Sequence, residues 1–412
     1  MAKDFAALHA SANDSSALEQ KVYVVEESVR GTLATPAGTD LVDTLEGASV
    51  NFTQPIESSP SRSGRHHNAI IKQKTTTEFS LPMFFNIDTS LGAVSNAEID
   101  AGFRVLLKSL LGKETDNAGS LEYTAATAPD LSFSIYENGD QWAKQAPGGF
   151  VNSAEMSFPG DGDAQVEFSG NAKTALLVGI GKSTVDNNGA NTVTLQAGEG
   201  ERFPVGAQVM LVEADGTTRS ADTPDGSPRT VDSVAGDVVT LDGAALADAD
   251  GASADVYLVY YEPETSSSIR DPQTGLEGSI TISGIPSNTC VRSLTLSFEN
   301  NHELVDYCFG EDGLAGPLYV PGDRLSVTAS VELNLDHDLV EFLNSLKDFA
   351  GDDIDADLGD TAGRHMHIDL PKVIFPIPEI AVPATGSIPV TFEGLAYETA
   401  LEAADEVKIS FL

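Results

Sequence analysis

Apolar and polar residues alternate in short runs along most of this chain. Ala48-Ser49-Val50-Asn51-Phe52, Leu131-Ser132-Phe133-Ser134-Ile135, Val166-Glu167-Phe168, Ser293-Leu294-Thr295-Leu296-Ser297-Phe298 and Val407-Lys408-Ile409-Ser410-Phe411 all show it. A period of two predicts strands with one face on a core and the other toward solvent or a neighbour. Clusters of Gly, Asp, Asn and Pro between the runs predict turns. Two segments of the body follow a helical period instead. Over 96–111, Phe103, Leu106, Leu107, Leu110 and Leu111 form one apolar stripe that Gly112 stops. Over 336–349, Leu339, Phe342, Leu343 and Leu346 repeat the stripe, with Asp336 placed as N-cap and Gly351 following. A weaker helical segment is read over 11–19.

The two helices sit at matching places in a repeated order of strand, long loop, strand, helix, strand and strand pair. In the first copy the strands are 48–52, 75–85 and 131–135, closed by the pair 153–158 and 164–169. In the second they are 292–298, 324–335 and 365–375, closed by 388–395 and 405–411. The reading is therefore an N-terminal arm (1–42), copy one (43–173), an inserted unit (174–262), a linker (263–277) and copy two (278–412). The inserted unit shows short strands at 192–195, 208–212, 238–241 and 256–261 and no helix, which predicts a small antiparallel barrel or sandwich. It begins after copy one is complete, so it is expected to project outward.

Composition narrows the picture. The chain has 412 residues, 63 acidic against 23 basic, and a net charge of −40. Such a chain repels nucleic acid instead of gripping it. The acidity fits a protein kept soluble at high salt, and equally a surface past which DNA slides. No run of about 18 apolar residues exists to span a membrane as a helix, and Met1-Ala2-Lys3-Asp4-Phe5 has no secretory h-region. The two cysteines, Cys290 and Cys308, are read as free thiols.

Several stretches tempt a chemical reading. Gly179-Ile180-Gly181-Lys182-Ser183-Thr184 resembles the end of a phosphate-binding loop, but Leu176 stands where the motif's first glycine belongs; a turn into the inserted unit is the reading. Asp353, Asp355 and Asp357 have calcium-loop spacing without the glycine and glutamate that complete it, Leu358 and Arg364 holding those places; a solvated acidic loop is expected. His365 and His367 face the same side of a strand, with no third ligand evident nearby, and are read as structural. No nucleophile elbow, zinc-protease helix or Cys–His pairing occurs. No catalytic residue, metal or cofactor is expected.

The pattern resembles the major tail tube proteins of long-tailed viruses. Val24-Val25-Glu26-Glu27-Ser28-Val29-Arg30-Gly31-Thr32 is similar to the segment before the first tube strand. The stretch 293–300, a long loop, Gly322-Asp323-Arg324-Leu325-Ser326-Val327-Thr328-Ala329-Ser330 and the helix from Asp336 resemble the family core. Residues 392–396 and 405–409 resemble its C-termini. The resemblance covers both copies. It implies a mainly β fold: two tandem tail-tube-type β-sandwich or half-barrel domains, each with one flanking helix, plus the inserted β domain. It also implies a virion subunit, made in the host cytoplasm, that stacks as rings into a hollow tube through which viral DNA passes without specific binding. Two copies per chain imply three chains in a pseudo-hexameric ring, with six chains as the alternative. Partners would be other copies of itself and the tape-measure, terminator and baseplate proteins, with no membrane. The loops at 53–68 and 299–320 would reach the next ring, with Arg62, Arg65, His66 and His67 as contact candidates. Thr76, Glu78, Ser80, Ser326, Thr328, Ser330, Glu332 and Asn334 would face the lumen. Competing classes are a terminator, baseplate or capsid decoration protein, and a cell-surface β-sandwich binding module.

Overall fold

The computed structural model describes the chain except residues 1–2, 12–19, 55, 59–69, 73–74, 86–98, 118–119, 127–130, 185–189, 247–255, 265–272, 276–277, 286–288, 306–317, 322–324, 338, 349–350, 360–364, 381 and 401–402. The fold is mainly β, with antiparallel sheets. The first part holds α1 (Phe5–Ala10), β1 (Lys21–Glu26), β2 (Leu41–Val42), β3 (Ser49–Thr53), β4 (Ile56–Ser58), β5 (Ile70–Lys72), β6 (Thr76–Phe84), α2 (Ala101–Leu111), β7 (Gly112–Asn117), β8 (Ser120–Ala125), β9 (Phe133–Asn138), β10 (Ala143–Pro159) and β11 (Gln165–Ala172). The middle adds β12 (Leu176–Val178), β13 (Ile180–Lys182), β14 (Thr192–Thr194), β15 (Gln208–Val212), β16 (Arg229–Ala235), β17 (Val238–Leu241) and β18 (Tyr257–Tyr260). The last part holds β19 (Ser279–Ile282), β20 (Val291–Glu299), β21 (His302–Val305), β22 (Leu318–Pro321), β23 (Ser326–Asn334), α3 (Leu339–Ser345), β24 (Asp352–Leu358), β25 (Met366–Ile374), β26 (Pro389–Ala396) and β27 (Lys408–Phe411).

Two layers enclose one apolar core. The first is the seven-stranded run β3-β6-β11-β10-β20-β23-β26. The second contains β2-β1-β9-β10-β12 and β19-β24-β25-β27-β8-β7. β10 serves both layers. Its start pairs with β9 and β12, its end with β11 and β20, and register shifts at Ala146/Gly149 and Val151/Ser153 lie between. Such bulges bend a strand from one direction to another. Followed pair by pair, the ladder branches at β10 and β25, and a bridge between Thr44 and Met83 links the segment after β2 back to β6, closing the circuit β10-β11-β6-β2-β1-β9.

The order of pairing recurs along the chain. β1–β9, β9–β10, β10–β11, β11–β6 and β6–β3 are matched by β19–β24, β24–β25, β25–β26, β26–β23 and β23–β20. The hairpin arm β4–β5 is matched by β21–β22. The helices dock alike. Phe103 of α2 meets Phe168 of β11 edge-on at 5.9 Å, and Phe342 of α3 meets Phe392 of β26 edge-on at 5.6 Å.

This order differs by one strand from the sequence reading. Residues 352–358, expected as a solvated acidic loop, form β24, with Ile354, Ala356 and Leu358 buried and the aspartates on the other face. The counterpart of β9 is therefore β24, not 365–375, and the counterpart of β11 is β26, not 405–411. The expected halves are also not separate bodies. β20 pairs with β10, β27 pairs with β8, and a single core runs through both.

The helices follow their caps. α2 ends at Gly112, whose φ of 91° is the left-handed conformation that glycine adopts without strain. Gly102 lets α2 approach β1 closely, since a Cβ there would stand 2.6 Å from Val42 Cγ2 and 2.8 Å from Asp40 O. Asp336 Oδ1 accepts from Leu339 N at 2.8 Å, so α3 starts where its cap predicts, and a 3-10 turn (Leu346–Asp348) finishes it. The segment expected as helix at 11–19 lies largely outside the described residues. The N-terminal helix is α1, capped by Asp4, with Phe5 buried.

The inserted unit is a six-stranded antiparallel sheet, β13-β18-β15-β16-β17-β14, with its own core. The phosphate-loop-like segment is strand β13, not a turn; a side chain on Gly181 would press on Phe203 and Leu195 at 2.9 and 3.0 Å. The unit is welded to the body. Gln145 and Gln208 exchange two buried bonds of 2.7 and 2.8 Å, and Tyr136 donates to Gln208 Oε1 at 3.0 Å. Glu262, the last residue of the expected insert, is an anchor that takes Lys3 at 2.7 Å and Lys21 at 2.6 Å. Ile135 of β9 enters the body core while Tyr136 and Asn138 bond the insert. The insert thus rests on the side of the second layer away from the seven-stranded one.

Burial raises the Glu406 carboxyl above its ordinary range, and its Oε2 is buried without a hydrogen-bond partner. A raised folded-state value means that ionisation opposes folding at neutral pH, and that this cost fades as pH falls through the raised value. Glu406→Gln should therefore raise Tm at pH 7 by roughly 2–4 °C. The gain over the parent should vanish near pH 4, where the unfolded carboxyl also protonates. Thermal melts of both proteins at the two pH values check this.

Candidate functional site

The outward face of the seven-stranded layer runs across both halves of the duplication. All eight residues expected on a lumen wall stand on it. β6 and β23 alternate strictly, and Thr76, Glu78, Ser80, Ser326, Thr328, Ser330, Glu332 and Asn334 take the non-core positions. Directly opposed residues in a sheet share a face, so the pairings trace rows across both halves. One row is Ser49-Ser80-Ser169-Ser153-Glu299-Ser326. Another is Gln165-Ser157-Thr295-Ser330-Glu393. A third joins Glu167, Glu155, Ser297 and Thr328.

Hydroxyl and carboxylate side chains dominate this face. Glu78, Glu155, Glu167, Glu299, Glu332 and Glu393 lie on it. Over the paired stretches of the seven strands the one cation is Arg292, at the β20 bulge, and it is neutralised by Glu332 at 2.5 Å. Glu155 and Glu167 oppose each other directly, and Ser80 Oγ donates to Glu167 Oε1 at 2.6 Å. A polar depression of about 360 Å³ opens in the first half, lined by Ser49, Asn51, Glu78, Ser80, Asn152 and Ser169. Sequence reasoning named the face on two strands only. Glu155, Glu167, Glu299 and Glu393 were missed, although each occupies an alternating position in its own strand.

Arg62, Arg65, His66 and His67 lie outside the described residues. They fall between β4 and β5, so the loop at 53–68 begins as a hairpin arm, as does the loop at 299–320 through β21 and β22. The structure brings together two motifs that were read separately. His365 Nε2 and His367 Nδ1 lie 2.9 and 2.8 Å from Asp357 Oδ1, and His367 Nε2 lies 3.7 Å from Asp355 Oδ1. Burial pushes the Asp357 carboxyl up, but the bonds from His367 and His365 outweigh it and hold it below the ordinary range. The contact ties β24 to β25 on the outer surface. Among the described residues no group of three His, Cys, Asp or Glu is arranged to hold a metal ion.

The polar depression depends on Gly170, which brings β11 against the bend in β10. A Cβ there would press into the carbonyl oxygen of Phe150 and stand 2.6 Å from Phe79 Cζ. Gly170→Ala should cost about 1–3 kcal/mol by overpacking, read as a lower denaturation midpoint with an unchanged m-value. Ser169→Ala, one residue away on the open face, should fall within about 0.5 kcal/mol of the parent. Compared with known proteins, the chain matches no family model and no curated protein.

Proposed function

We propose that this chain is a structural subunit of a virus tail tube, with its two repeats side by side in one ring and the seven-stranded face turned to the lumen. The observation that carries the reading is that face. It crosses both repeats through the β10–β20 pairing, and among the described residues of its paired stretches the one cation, Arg292, is neutralised. DNA carries about one negative charge per 1.7 Å of axis, so free lysines on a wall would hold it back. Hydroxyls and carboxylates let it pass. The insert, resting on the opposite side of the second layer, would stand on the outside of the tube. In this reading the two repeats are tail-tube-type units and three chains complete a pseudo-hexameric ring. The hairpin arms reach the adjacent ring, and tape-measure, terminator and baseplate proteins meet the tube in the virion.

Electron microscopy of the concentrated, purified chain tests the proposal. Hollow tubes with three chains per ring are expected. Closed rings that never stack would favour a terminator, and six chains per ring with one repeat at the lumen would overturn the pseudo-hexamer. A second measurement addresses the wall. Thr295 and Ser330 oppose each other on the face, so Thr295→Lys/Ser330→Lys should still fold and assemble. The variant tubes should retain a short labelled duplex at low salt and release it as salt rises, while parent tubes retain none. Equal retention by both would place the face away from the lumen.

A further inference from the structure

The arm β21–β22 leaves the seven-stranded layer through two residues, Asn300 and Asn301, which join the end of β20 to His302. Among the described residues its strands pair only with each other. A lone two-stranded hairpin is marginally stable in water, so its direction has to be set at the root.

The bend in β10 grips that root. Asn152 lies at the register shift between Val151 and Ser153, where the ladder to β11 skips it. Its carbonyl oxygen accepts from Asn300 N at 2.7 Å, and its Oδ1 accepts from His302 N at 3.0 Å. Asn300 is buried, and its Nδ2 donates to Val151 O and to Leu110 O, both at 3.0 Å. Leu110 lies in the last turn of α2, where carbonyls lack partners within the helix. One side-chain amide thus ties the arm to both β10 and α2. Asn301 has a φ of 49°, the left-handed conformation that Asn tolerates better than most residues with a side chain.

The ring of His302 closes the joint. It lies on Phe150, with centroids 4.8 Å apart and planes 46° apart, and its Nδ1 is buried without a hydrogen-bond partner. Phe150 and Asn152 of β10 bring no charge to it, nor does Pro321, opposite it on β22. Among the described residues the charge that acts on the ring is that of Arg30, in the segment after β1, and no carboxylate offsets it. Burial first, and Arg30 second, hold the imidazole below its ordinary range. A base lowered in this way resists a proton that the undocked ring would accept. Docking is therefore unopposed above about pH 6.5 and weakens as pH falls below it.

We propose that Asn300, Asn301 and His302 form an acid-released joint: the neutral ring of His302 holds the β21–β22 arm in one direction against β10 and α2, and its protonation frees the arm. The use of such a joint, to loosen contacts between rings in acid, rests on the tube reading. The joint itself belongs to the single chain and is tested there.

Spin labels on Glu303→Cys, in β21, and on Asp161→Cys, exposed in the turn after β10, report the direction of the arm in a background of Cys290→Ser and Cys308→Ser. In the monomeric chain, pulsed electron spin resonance should give a narrow distance distribution at pH 7.5 and one at least twofold broader at pH 5.5. His302→Phe keeps a stacked ring that takes no proton, so its distribution should stay narrow at both values. A parent distribution unchanged by acid, or already broad at pH 7.5, overturns the joint. So does a His302→Phe chain that broadens in acid as the parent does, or that is broad at both values. Should His302→Phe not fold, NMR of the parent decides. The ring signal of His302 and the amide signals of Glu303 and Leu304 should move over one pH range, and a ring that titrates without them overturns the proposal. None of these outcomes depends on whether the chain forms tubes.

Discussion

Seven consecutive residue pairs between β10 and β20, Ser153↔Glu299 to Pro159↔Ser293, carry the first layer from one half of the chain into the other. Everything else is arranged around keeping β10 able to do this. Its own start belongs to the second layer, so it must turn within one strand, and every buried backbone group must still find a partner. The two register shifts and the small residues Gly148, Gly149 and Gly170 make that turn. Once β10 spans both layers, α2 has β10 and β1 to pack on, the insert has an anchorage at Gln145, and β20 has a template beside which the second repeat can form.

Charge is distributed by the same logic. A buried carboxylate is costly unless it is paired, whereas an exposed one is not. Several of the cations therefore sit on carboxylates within the structure. Lys3 and Lys21 share Glu262, Lys144 holds Glu137, and Arg104 with Tyr123 holds Glu114. The seven-stranded face keeps glutamates that need no partner because water reaches them. The overall acidity and the cation-poor face are then two views of one allocation.

Much of this was legible in the sequence where one element decides its own structure. β6 and β23 alternate cleanly, Asp336 caps α3, and Gly112 ends α2, because period and cap chemistry are local. What was misread depended on neighbours. β24 alternates Asp with Ile, Ala and Leu, but its repeated acids matched a loop until β19 and β25 were seen to flank it. β1 is a strand of the second layer although it lies in the expected arm, with Val22 and Val24 in the body core and Tyr23 buried on the side of Tyr261 and Glu262. α1 is too short for its period to be seen and is held by contacts with β18 and Gly216. The face itself was readable strand by strand, but its rows were not, because register between distant strands is set by bulges that no local pattern announces. Asp357 could not be joined to His365 and His367 for the same reason.

The pairing of β27 with β8 has a consequence for the timing of synthesis. β8 lies between β7 and β27, and β27 is translated long after the first repeat and the insert have left the ribosome. Domains usually fold as they emerge, but here the first repeat keeps a raw strand edge until residues 408–411 arrive. A growing chain therefore carries an unfinished second layer throughout elongation. Polysomes translating this message would hold many such edges close together, where an unpaired strand edge invites pairing with a neighbouring chain.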